Sequence, residues 1–66
     1  MWKKIKISDI ASLEKNDILC SIIAGNKIEF RIVANTAEYL ELLSLKFDFI
    51  KILPLKKLEI ERWYKK

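Results

Sequence analysis

The chain has a single glycine, Gly25, set between two strand-like runs, so the turn made there constrains everything built around it. Glycine takes a positive φ without steric cost, and Gly25-Asn26 therefore suits the two-residue turn whose twist matches that of paired strands. The runs on either side, within Ile18 to Val33, are rich in β-branched residues and predict a hairpin. Pairing Ala24 with Lys27 sets Ile23 opposite Ile28, Ser21 opposite Phe30 and Leu19 opposite Ile32, which gathers one apolar face. The other face carries Lys27, Glu29 and Arg31, but also Ile18, Cys20, Ile22 and Val33. A first strand that is apolar on both sides belongs inside a sheet or under cover.

Around this hairpin the pattern stays mostly β. Lys3 to Ile7 alternates lysine with isoleucine and reads as a short strand, Ser8 to Asn16 as a loop or single turn, and Lys15-Asn16-Asp17 as the turn into the hairpin. Tyr39 to Leu45 is expected as a third strand and Phe47 to Ile52 as a fourth, from its β-branched and aromatic residues. Pro54 cannot donate to a ladder and ends that strand; Leu55-Lys56-Lys57-Leu58 then fits a short helical turn, and Glu59 to Lys66 alternates as a last strand. A competing α+β reading stays open. Asn35 with Glu38 resembles a helix start, Leu40, Leu43, Phe47 and Ile50 recur at helical spacing, and Lys57, Glu61 and Lys65 pair at i,i+4. That alternative puts helices near 36–46 and 55–66. The expected fold class is nonetheless mainly β, an open meander or small barrel of about five strands.

The Asp17-Ile18-Leu19 opening, the meander, and the proline-led turn Pro54-Leu55-Lys56-Lys57-Leu58 before a final strand resemble the layout of small SH3-like barrels over residues 16 to 64. The resemblance implies a binding module for peptides, nucleic acid or other subunits. The aromatic cluster that peptide-binding SH3 domains carry in their first long loop has no counterpart, because Ser8 to Asn16 holds no aromatic residue.

Length and composition remove several function classes. With 66 residues the chain is read as one small domain, 1–66, with a thin core. Its 52% apolar content is enough to fold, and the excess over what one small core hides makes a homodimer one expectation. Cys20 is the only cysteine and there is no histidine, so neither a disulfide nor a zinc site is expected. Acid–base catalysis at neutral pH lacks its usual residue, one glycine cannot cradle a phosphate, and Cys20 reads as a packing residue. The expectation is no enzyme and no cofactor. Met1 to Lys6 shows no leader pattern, and the apolar run Ile18 to Gly25 is far short of the roughly 20 residues that span a bilayer. A cytoplasmic location and no membrane association follow as expectations.

What remains is the placement of charge. The net charge of +4 conceals two basic ends around an acidic middle: Lys3, Lys4 and Lys6 at the start, Lys56, Lys57, Arg62, Lys65 and Lys66 at the finish. In a meander the terminal strands often lie together. Lys4, Lys6, Arg62, Lys65 and Lys66 would then form one positive surface with Trp2, Trp63 and Tyr64 among them, suited to phosphates and unpaired bases. The residues singled out for nucleic-acid contact are Lys4, Lys6, Arg62, Trp63, Lys65 and Lys66, with an acidic protein as the other partner of matching charge. The opposing reading makes the lysines solubilising and packs the aromatic rings beneath the sheet. A third makes the chain a protein-interaction module or a small subunit, with apolar side chains at the interface.

Overall fold

In a computed structural model, which describes residues 1–58 and 60–66, six strands form one antiparallel sheet. They are β1 (Lys3–Lys4), β2 (Ile18–Ile23), β3 (Asn26–Asn35), β4 (Tyr39–Ser44), β5 (Ile50–Pro54) and β6 (Trp63–Lys65). A 3-10 helix, Ile7–Ser12, follows β1, and a shorter one, Leu55–Lys57, follows β5. The order across the sheet is β1-β6-β2-β3-β4-β5. Strands β2 to β5 are therefore a meander, and β6 returns to lie between β1 and β2.

The hairpin forms where expected, but its register differs. Ala24 and Gly25 are the central turn residues, with φ of 51° and 81°, and Ile23 pairs with Asn26. Both central residues are left-handed, as the tight turn that continues strand twist requires. Ser21 then faces Ile28 and Leu19 faces Phe30. The shift is two residues, so every side chain keeps its predicted face. The ladder continues past β2, since Ile32 N–H bonds Asp17 C=O at 2.9 Å and Asn16 N–H bonds Ile32 C=O at 2.8 Å.

Period two decides β4. Along Tyr39–Ser44, alternate residues Leu40, Leu42 and Ser44 are buried, so the helical spacing of Leu40, Leu43, Phe47 and Ile50 goes unused and the helix near 36–46 is excluded. Thr36 Oγ1 accepts the Tyr39 N–H at 3.2 Å, and Asn35 Oδ1 accepts the Ala37 N–H at 3.1 Å. These side chains hold a turn where a helix cap was the alternative. A helix over 55–66 is excluded as well: Leu55–Lys57 is one 3-10 turn and Trp63–Lys65 is strand. Glu59, which both readings of the tail include, lies outside the described residues.

Several predicted strands are shorter than expected, the last among them, which spans Trp63–Lys65 and not Glu59 to Lys66. The first stops at Lys4, because Lys6 N–H bonds the Asp9 carboxylate at 2.9 Å and starts the 3-10 helix. The fourth begins at Ile50, because Ser44 Oγ accepts the Phe47 N–H at 3.1 Å and Asp48 turns left-handed at φ 55°. Phe47-Asp48-Phe49 is thus a loop.

Strand β3 changes register between Ile32 and Ala34, where its pairing with β4 carries a bulge. Bulges bend the bulged strand and increase twist. The sheet curls accordingly. Lys51 of β5 reaches Glu61, just before β6, at 3.9 Å, although three strands separate β5 from β6 in the sheet. Inside the curl lie Leu19, Phe30, Ile32, Leu40, Leu42, Leu53, Leu58 and Trp63, all with no exposed surface. Phe30 is the centre, tilted against Trp63 at 5.3 Å and edge-on to Phe49 at 5.9 Å between centroids. Ile10 and Leu13 close one end of this core. Their segment is held by Asn35, whose Nδ2 donates to Ile10 C=O at 3.0 Å and Leu13 C=O at 3.2 Å. No helix among the described residues is long and apolar enough to cross a membrane.

Candidate nucleic-acid interface

The two ends of the chain meet. Strand β1 pairs with β6, Lys3 opposite Lys65 and Lys4 opposite Tyr64, and Ile5 N–H bonds Trp63 C=O at 2.8 Å. Strand β6 in turn pairs with β2, Tyr64 opposite Cys20 and Lys65 opposite Leu19, and Lys66 N–H bonds Ile18 C=O at 3.1 Å. The seam is built locally by Asp9, which ends β1 by capping the helix behind it, and by Arg62, whose φ of 55° turns the chain into β6.

Antiparallel pairing turns separation in sequence into adjacency in space. Lys3, Lys4, Lys65 and Lys66 line one open cleft of about 380 Å3, together with Asp9 and Ser12 of the 3-10 helix. Lys6 and Arg62 are exposed one step beyond the last bonded pair, Ile5 with Trp63, at the other end of the same seam. Two acidic groups temper the cations. Asp9 is held by the Lys6 backbone, and Asp17 pairs with Lys65 at 3.4 Å. Both charges of that pair are partly exposed, so it holds Lys65 only weakly against a competing anion.

The aromatic residues behave differently from the lysines. Trp63 has no exposed surface: its ring packs on Phe30 and its Nε1–H donates to Glu61 at 3.3 Å. It therefore leaves the set of solvent-facing contacts, and the reason lies in alternation. Trp63 sits on the inward face of β6, while Tyr64 next to it faces out and is half-buried. Trp2 is half-buried as well, and Lys27 Nζ lies 5.3 Å from the centre of its ring. Lys27 is in β3 and Trp2 precedes β1, with β6 and β2 between them. Strands are spaced about 4.8 Å apart, so the two side chains can meet only by reaching over the outer face of β6 and β2. Beneath that crossing lies Cys20, an outward position of β2 that is 2% exposed. Burial pushes the Cys20 thiol pKa up, with Lys27 opposing the rise and Glu29 adding to it. A protonated, covered thiol is a packing group and not a nucleophile.

Of the six residues predicted for contact, Lys4, Lys6, Arg62, Lys65 and Lys66 run along one seam, and Trp63 supports it from below. Sequence reasoning passed over Lys3, Asp9 and Asp17. The first was legible once the terminal strands were paired; the acidic pair depended on where the 3-10 helix and the turn before β2 would fall. No group of three or more metal-ligating side chains occurs among the described residues. Comparison with protein-family models, with curated proteins and with solved structures found no match for the chain.

Proposed function

We propose that the chain is a non-enzymatic binding module that holds nucleic acid along the β1–β6 seam. The observation that carries the reading is the pairing of Lys3 with Lys65 and of Lys4 with Tyr64, which brings the basic ends of a chain with an acidic middle to one side of the sheet, where Lys3, Lys4, Lys65 and Lys66 line one cleft. The lysines and Arg62 meet phosphates, and the exposed parts of Trp2 and Tyr64 offer the flat surface on which an unpaired base stacks. With Trp63 inside the core, charge carries most of the affinity. Binding is accordingly weak in sequence preference and steep in salt dependence. The strand order β6-β2-β3-β4-β5, with a 3-10 turn leading into β6, supports an SH3-like barrel with β1 added at its edge. Such barrels carry many unrelated roles, so the seam and not the fold is the basis of this reading.

Fluorescence titration with labelled single- and double-stranded oligonucleotides at low ionic strength tests it. Saturable binding that weakens as salt rises is expected. Absence of saturation with either probe would remove nucleic acid as the partner and leave an acidic protein as the ligand the same charges fit.

A further inference from the structure

The two edges of the sheet differ in their protection. Strand β1 is two residues long and both are lysines, the residue that most often keeps a strand edge from pairing with another chain. Strand β5 is guarded along its free side only by Pro54, at its last position. Ser44 N–H bonds Phe49 C=O at 2.9 Å and Leu55 N–H bonds Glu38 C=O at 3.1 Å. By the alternation of an antiparallel ladder, Lys51 and Leu53 then also direct their backbone groups to β4. Ile50, Ile52 and Pro54 direct theirs away from the sheet, and only Pro54 lacks a donor. The β4–β5 pairing runs without a bulge. On the outer face, Ile50 is 56% and Ile52 is 49% exposed, with half-buried Leu43 beside Ile50.

We infer that β5 is a dimerisation edge, pairing antiparallel with β5 of a second copy of this chain about a two-fold axis at Ile52. This register sets Ile52 opposite Ile52, Lys51 opposite Leu53 and Ile50 opposite Pro54. Each Ile52 N–H donates to the Ile52 carbonyl of the other copy, and each Ile50 N–H donates to its Pro54 carbonyl. Centring the axis on Lys51 would place two ammonium groups directly opposite each other, which destabilises a strand pair. Beyond the strand, the loop before β5, which holds Asp48 and exposed Phe49, lies at the same end as the 3-10 turn of the second copy, which holds Leu55 and Lys56. An acidic and a basic side chain are therefore on facing segments at both ends, which suits a self-complementary two-fold contact. A five-residue edge is small for a stable interface, so the dimer is expected to be weak, with dissociation at roughly micromolar concentration or above. The inference is independent of the basic seam.

Sedimentation equilibrium of the isolated chain, without nucleic acid, reads the first outcome. The weight-average mass should climb from 7.8 kDa toward twice that value as concentration rises. Ile52→Lys, which puts two charges face to face at the axis, should weaken association at least tenfold while circular dichroism stays that of the parent. Register is read separately by mild oxidation in a Cys20→Ser background. Ile52→Cys should give a disulfide-linked dimer, since directly opposed residues lie within disulfide reach, whereas Lys51→Cys should not. The cysteine pair decides the matter even if Ile52→Lys fails to fold. A chain that stays monomeric at millimolar concentration overturns the inference, as do an Ile52→Lys variant that associates like the parent and cross-linking of Ile52→Cys no greater than that of an exposed control, Ile60→Cys.

Discussion

Replacing Trp63 separates a core residue from a binding residue, because the two roles predict opposite outcomes. The ring has no exposed surface, lies 5.3 Å from Phe30 and donates to Glu61 at 3.3 Å. Truncating a buried aromatic to alanine costs about 3–5 kcal/mol, of which the ring pair accounts for about 0.5–1.5 kcal/mol. A domain of this length has about 3–10 kcal/mol in total, at ~0.05–0.15 kcal/mol per residue. Trp63→Ala is therefore expected to leave a large unfolded fraction at room temperature. Trp63→Phe keeps a ring against Phe30 and loses the hydrogen bond and the second ring, a cost of about 1–3 kcal/mol. At about 4–8 °C per kcal/mol, its Tm should fall by roughly 4–24 °C. Urea and thermal unfolding followed by far-ultraviolet circular dichroism measure the loss, and oligonucleotide affinity well below Tm measures function. The expected pair of results is a destabilised Trp63→Phe protein whose affinity stays within about twofold of the parent. Unchanged stability with lost affinity would refute the burial argument and return the ring to the surface.

Three further outcomes follow from particular contacts. Asn35→Ala removes the donor that bridges Ile10 and Leu13, taking that bond from the Leu13 carbonyl and leaving the Ile10 carbonyl only the Leu13 N–H, and should cost about 1–3 kcal/mol with hydrogen exchange quickening first in residues 7–13. Ala24→Asn converts a left-handed alanine before Gly25 into the Asn-Gly pair that tight hairpins favour, and should stabilise by about 0.5–1 kcal/mol, read as a higher urea midpoint. Burial raises the Cys20 pKa, so the folded state keeps the thiol proton to higher pH than the unfolded chain does. That stability is complete below the ordinary thiol range of about 8.5 and is lost as pH climbs through the raised folded value. The parent should therefore lose more stability than Cys20→Ala as pH rises through this range, and parallel profiles would contradict it.

The mainly-β class was legible because strand and helix periodicities make different demands on burial, and Leu40, Leu42 and Ser44 answer to the first. Faces were legible where exact partners were not: the hairpin slid by two residues without turning a side chain over. Boundaries failed where a short polar side chain captured a backbone group, at Asp9 beyond β1 and at Ser44 before β5. For the site, the meeting of the two basic ends followed from topology, whereas the inward aim of Trp63 did not. Trp63 and Tyr64 are adjacent aromatics of similar character. Nothing local in the sequence states which of them falls on the inward step of a three-residue strand.

In the proposed function, the four lysines of the cleft, Lys3, Lys4, Lys65 and Lys66, act together on phosphates. Its most direct test compares the salt dependence of single-stranded oligonucleotide binding in three proteins: the parent, Lys4→Glu with Lys66→Glu, and Lys15→Glu with Lys46→Glu, exposed positions outside the cleft. Each phosphate contact contributes about −0.7 to the slope of log affinity against log salt for a single strand. The seam variant should lose affinity at least tenfold and flatten its slope by about one to two, while the control, with the same net charge, stays close to the parent. Equal losses in the two variants would mean that net charge alone attracts the oligonucleotide, and that the meeting of β1 and β6 creates no site.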